Sequence, residues 1–311
     1  MILLAAASFI SASPAAQAHP GTGIVVDREG RVYFTDLRRV WRWEPVGRLT
    51  AVVTGKHSHA LRLDPEGRLE GEHLFYDPAA MRWWTSSWRL EDDGSVRETA
   101  RAEEGFPFLF TPAVASDGTR YYARVDNNRR DVSEIYRRIP GGGIELLAGG
   151  AYGYADGVGR QARFGPIGAL AVGPKGDLYL TDEVSVRKVA PSGRVETITR
   201  GAPLKPSLFA RFSEGRFGKM MGLAVDARGN VFAANFGAGC VVRVTPGGRV
   251  TRVLRSEDGW SPSGVTLRGG DLYVLEWKGG GSVRVRRVSS AGTVSTLAVV
   301  RDGRPAKPSQ D

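Results

Sequence analysis

The chain has 311 residues, a formal net charge of +10, one cysteine and 41 glycines, about twice the usual glycine share. With 17 prolines, that composition speaks against a helix-dominated fold, because both residues weaken helix interiors. The 41% hydrophobic fraction is enough for a packed core, no Gly-X-Y period is present, and the lone Cys240 excludes an internal disulfide framework and any multi-cysteine zinc site.

Residues 1–18 carry no charged side chain. Ile2 to Ile10 is an apolar stretch broken only by Ser8, and Ala16-Gln17-Ala18 follows as a small-x-small cleavage site. The pattern predicts a signal peptide over 1–18 and an exported protein that begins at His19. After its removal no apolar run is long enough to span a membrane.

From residue 19 to 300 the sequence repeats. A short apolar strand, a polar turn ending in glycine and a second apolar strand occur as GIVVDREGRVYFTD from Gly23. The unit returns from Ala60, Ala113, Ala169, Leu223 and Gly264. Its turn glycines are Gly30, Gly67, Gly118, Gly176, Gly229 and Gly270. Two further alternating strands joined by a glycine turn follow most clearly at SVRKVAPSGRVETITRG, CVVRVTPGGRVTRVLR and SVRVRRVSSAGTVSTLAVV. Period-2 alternation between glycine turns is the hairpin signature. Six copies of four antiparallel strands predict an all-β, six-bladed β-propeller. Both ends hold complete blades, so the ring is expected to close by packing alone. Residues 301–311 are expected to form a loose polar tail.

The run GYADGVGRQARFGPIGALAVGPKGDLYLTD, with RKVAPSGRVETITRG after it, resembles the NHL repeat, and blade five resembles it as well. In outline the chain is also similar to the senescence-marker/gluconolactonase propellers. The resemblance implies a six-bladed propeller and leaves activity open among binding scaffolds, lactonases and lyases. The metal-binding pattern of the gluconolactonase-like propellers is not intact: Gly21-Thr22-Gly23 stands where Glu-Gly-Pro would open the first blade.

Six residues past each turn glycine stand Asp36, His73, Arg124, Asp182, Asn235 and Glu276. All are polar although most of the strands leading to them are apolar. The end of each second strand shares a face with the start of the channel-lining strand, so these six are candidate ligand-binding residues; strand ends that turn also favour Asp and Asn. Blade two adds His57 and His59, which point the same way if extended. With His73 they form a candidate metal site of three imidazoles, and zinc is the divalent ion that donor set favours. His57, His59 and Glu72 are the candidate proton-transfer residues, although alternation turns Glu72 away from His73. Trp84 and Trp88 share one strand face and offer an aromatic platform.

Only 7 of the 43 basic residues are lysine. Arginines recur on outer strands, at Arg187, Arg243, Arg252, Arg284, Arg286 and Arg287, which predicts charge spread around the rim. That spread speaks against nucleic acid and fits an acidic partner. The leading expectation is an exported, monomeric propeller that binds a small molecule, carbohydrate or protein ligand at the histidine-bearing face. A metal-assisted hydrolase, lactonase or lyase is the enzymatic alternative, and an interaction scaffold without pocket chemistry is the third.

Overall fold

The computed structural model describes residues 20–77, 79, 82–104, 108–125, 132–183, 185–199 and 220–307. The expected leader and His19 lie outside the described residues. Six antiparallel sheets follow one another along the chain, and together they form the six-bladed propeller that the repeat predicts. Blade one holds Ile24–Val26, Val32–Thr35, Arg39–Trp43 and Leu49–Thr54; blade two holds Leu61–Leu63, Leu69–Asp77, Arg82–Leu90 and Val96–Glu104. Blade three holds Phe108–Val114, Arg120–Val125, Val132–Arg138 and Ile144–Ala151; blade four holds Ile167–Val172, Leu178–Asp182, Ser185–Val189 and Arg194–Thr199. Blade five holds Met220–Val225, Val231–Asn235, Cys240–Val244 and Val250–Arg255; blade six holds Ser261–Arg268, Asp271–Lys278, Ser282–Val288 and Val294–Arg301.

The repeated glycine has one local cause. Gly30, Gly67 and Gly229 all have φ between 79° and 87°, and each closes a turn by donating its N–H to the carbonyl of Asp27, Asp64 or Asp226. A side chain is strained at that φ, which explains the register of glycine through the repeat. The aspartates' side chains receive the backbone N–H of Arg31, Arg68 and Asn230, so they serve the turns.

Among the described residues every blade begins and ends within its own stretch of chain, and no strand is exchanged between blades one and six. Closure rests on tight packing of inner strands. A Cβ at Gly264 of blade six would collide with the carbonyl oxygen of Thr22 beside blade one. At Gly222 of blade five it would lie 2.7 Å from the Gly264 Cα. Neighbouring blades are also pinned by matching hydroxyls: Thr35 Oγ1 donates to the Ser58 carbonyl (2.9 Å) and Thr181 Oγ1 to the Met220 carbonyl (3.3 Å). Apolar clusters fill the spaces between blades, with Phe34 and Leu275 joining blades one and six and Val242 and Val186 joining five and four.

Two blades gain a fifth strand. Gly157–Val158 pairs outside Arg194–Thr199 of blade four, and Arg304–Ala306 pairs outside Val294–Arg301 of blade six. The segment expected as a loose tail therefore starts inside the sheet, and residues 308–311 lie outside the described residues. Among the described residues no helix is long and apolar enough to cross a membrane.

Candidate functional site

The polar positions at the ends of the second strands divide into two groups. Asp36, Asp182, Asn235 and Glu276 are spent on their own blades. Asp36 Oδ1 accepts the backbone N–H groups of Arg38 and Arg39, and its Oδ2 accepts the Trp41 indole N–H at 2.8 Å. Asn235 Oδ1 accepts the N–H of Ala238. Asp182 is fully buried; it accepts the Gly165 N–H (2.8 Å) and the Arg187 guanidinium (2.6 Å). Burial pushes the Asp182 carboxyl up to about 6 against the pull of Arg187, so it is still charged at neutral pH. Glu276, also fully buried, accepts from Ser256 and Arg284. Asp36 and Asn235 brace the turn between second and third strands, while Asp182 and Glu276 tie the second strand to an arginine of the third and to the segment before their blade. At Asp36 and Asn235 the polar residue meets the demand of the turn for an acceptor.

The same contacts correct the expected rim of arginines. Arg187 and Arg284 are buried in the blades as partners of Asp182 and Glu276. Arg187 also reaches Asp156 and the Ala155 carbonyl, and lies 5.3 Å over the Phe164 ring.

His73 and Arg124 remain accessible. Arg124 is half-exposed and stands 3.4 Å from Glu134, which also accepts the Tyr136 hydroxyl. His73 is bound up with the loop before blade two. The N–H of His57 donates to His73 Nδ1 (2.9 Å), and the N–H of Leu74 donates to the His57 carbonyl (3.0 Å). This double link holds the loop so that His57 and His59 project together. Their Nε2 atoms stand 3.0 Å apart, with the rings nearly edge to face. The His59 carbonyl accepts the N–H groups of Thr22 and Gly23, which fixes the pair at the end of the channel where the inner strands of blades one and two begin.

Burial beside Lys56 lowers the pKa of His73, keeping it neutral and able to accept from His57. His73 stacks on Phe75 with ring centres 5.0 Å apart, and Phe75 lies across the strand from Trp84. Trp84 is half-buried, and its indole N–H is buried without a hydrogen-bond partner among the described residues. Trp88 is different: its ring covers Gly71, is fully buried, and donates to Ser58 Oγ at 3.0 Å. It is a packing residue and presents no face to a ligand. Glu72 points to the other side of its strand, and burial raises its pKa.

The three imidazoles do not form a metal cage. His73 commits Nδ1 to the His57 backbone, and among the described residues no group of three or more His, Cys, Asp and Glu side chains could hold a metal ion.

A polar cluster on blade four has no counterpart in the sequence reading. Tyr154 donates to Glu183 (2.6 Å), and the Tyr152 hydroxyl lies 3.2 Å from that of Tyr154. Burial and the Glu183 contact hold the Tyr154 phenol well above its usual pKa. Two tyrosines two residues apart were the available signal.

This geometry meets its parallels in known proteins at one stretch of sequence. Residues 178–276, from the second strand of blade four to that of blade six, match the SMP-30/Gluconolactonase/LRE-like region. No curated protein matches the chain at the sequence level. Among solved structures, a gluconolactonase from Xanthomonas campestris superposes with a TM-score of 0.58 and 14% identity, over 90% of this chain and 87% of that one. A catalytically inactive histidine-to-alanine variant of virginiamycin B lyase from Staphylococcus aureus, solved with quinupristin, gives 0.52 and 16% identity over 91% and 85%. The calcium-binding protein regucalcin from Agrobacterium tumefaciens gives 0.51 and 15% identity over 82% and 81%. At these identities the likeness is one of fold.

Calcium takes six to eight oxygen ligands, mostly carboxylate and carbonyl. The described residues do not fit that demand. Thr22, His59, Ile167, Met221 and Pro262 stand at the starts of inner strands and bring no carboxylate, while Asp36, Asp182 and Glu276 are already occupied within their blades.

Proposed function

We propose that the protein is an exported NHL-type propeller that binds a small polar ligand at the channel end over blade two, where the His57–His59 pair handles a proton of that ligand. The observation that carries this reading is the 3.0 Å approach of the two Nε2 atoms. Two imidazoles that close share one proton. The neutral partner is a base, and its neighbour stabilises the imidazolium once the proton has moved. Such a pair suits ring opening of an ester or lactone, by general-base activation of water or by abstraction of a carbon-bound proton. The gluconolactonase and virginiamycin B lyase that share the fold supply the two substrate classes to try first, and the inactivity of that lyase's histidine variant supports a histidine-centred reading. The unsatisfied Trp84 indole N–H, beside Phe75 and His73, supplies a donor for a ligand acceptor.

The test is turnover of glucono-δ-lactone and linearisation of quinupristin by the wild type, His57→Gln and His59→Gln, each with chelator and with added divalent metal. The reading predicts turnover of at least one substrate, independent of chelator, and a loss of about 10²- to 10⁴-fold in either variant. Turnover that needs metal and survives both substitutions would favour the metal-assisted alternative. No turnover, with unchanged capture of a protein partner by both variants, would favour the scaffold.

A further inference from the structure

The outer hairpin of blade five gathers arginines without acids. In blades one and two several arginines near turns are matched to acids: Arg48 with Glu44, Arg62 with Glu70, and Arg68 with Asp64. The outer hairpin of blade five, from Cys240 to Arg255, holds Arg243, Arg249, Arg252 and Arg255 and no acidic residue. All four are exposed. Among the described residues no guanidinium of the four makes an ion pair or a hydrogen bond, and the next acids along the chain, Glu257 and Asp258, pair with none of them.

The backbone arranges these charges along an edge. Among the described residues Val250–Arg255 is the last strand of its sheet, without the fifth strand that covers blades four and six. A register shift between Val241 and Val242 puts one extra residue into this strand, so Arg252 pairs with Val242 and Arg255 with Cys240. Residues two apart on a strand share a face, so the shift brings Arg252 and Arg255 to one side. Arg243, opposite Thr251, lies on the other. Positive charge thus flanks both sides of one exposed strand edge. Edge strands often carry charge to prevent pairing with other chains. That need does not account for this strand, since the outer strand of blade one, LTAVVT, carries no charge and that of blade three, IELLAGGA, carries only an acid.

We propose that the outer edge of blade five docks a linear phosphate-bearing polyanion, with Arg252 and Arg255 as its main contacts and Arg243 and Arg249 beside them. Guanidinium groups match phosphate oxygens in geometry and charge. A line of charge along a strand fits an extended chain better than a flat surface. None of the exposed large apolar side chains lies on this hairpin, so it has no anchor for a lipid bilayer. It offers no aromatic platform for stacked bases either.

The experiment measures binding of fluorescein-labelled inorganic polyphosphate to the full chain, from about 50 to about 200 mM salt, beside phosphatidylglycerol vesicles. The expected result is salt-sensitive binding of polyphosphate, weakened at least about tenfold by the double variant R252Q/R255Q, with the log–log salt slope reduced by between about 1 and 2. The control R48Q/R68Q, which removes acid-paired arginines of blades one and two, is expected to change affinity less than about twofold. Equal losses in the two double variants would overturn the proposal, as would absence of polyphosphate binding at the lowest salt, or binding to vesicles but not to polyphosphate. Arg252, Arg255 and Arg48 are exposed and Arg68 is half-buried, and a thermal melt of each variant confirms that the fold is intact.

Discussion

The backbone N–H of His57 donates to Nδ1 of His73 at 2.9 Å, across a gap of sixteen residues in sequence. That bond needs a neutral His73, because a protonated imidazole has no lone pair to accept with.

A pH dependence follows from it. The pKa of His73 is lower in the fold than in the unfolded chain, where it is about 6.5. Between the two values the unfolded chain binds more protons, so stability falls as pH drops from about 6.5 toward the folded value and levels off below it. His73→Asn keeps an acceptor oxygen near the Nδ1 position and cannot be protonated. Denaturant melts at pH 7.5 and pH 5 are expected to show a smaller stability loss for His73→Asn than for the wild type. An equal loss in both would show that His73 does not hold the loop in this way.

Asp182 and Arg187 are an almost completely buried pair, and Asp156 also reaches the guanidinium. Removing one partner of a buried pair strands the other charge, at about 3–5 kcal/mol. Asp182→Ala is expected to cost about that much in urea melts. Asp182→Asn, which keeps an acceptor for the Gly165 N–H, is expected to cost less. Substitution with no loss of stability would return Asp182 to the list of ligand-binding candidates.

Ring closure rests on the inner-strand glycines. Gly264→Ala forces a methyl against the Thr22 carbonyl, where backbone must move, and a cost of about 1–3 kcal/mol is expected. Gly247→Ala, with nothing within 4 Å, is expected to stay within about 0.5 kcal/mol of wild type. Thermal melts of the two variants check the contrast.

The blades were legible because each needs the same turn. Gly30, Gly67, Gly118, Gly176, Gly229 and Gly270 all sit at positive φ, and that requirement is local to a few residues. The fifth strands were not legible: Gly157–Val158 is two residues long and has no alternation to read. The candidate site was legible in part. Proximity of His57 to His59 follows from their spacing, whereas the link to His73 runs through a backbone N–H, which carries no residue signature. The contacts of the polar strand ends were not legible for the same reason. Asp182 and Glu276 show the residue types of a binding site, and only their contacts reveal that Arg187 and Arg284 have taken them.

The most direct test of the paired imidazoles is an NMR titration of histidine-labelled protein. The 3.0 Å approach predicts that the titrations of His57 and His59 are coupled, and that His59→Asn removes the coupling seen at His57. Independent titration of both rings near about 6.5 in the wild type would contradict the account.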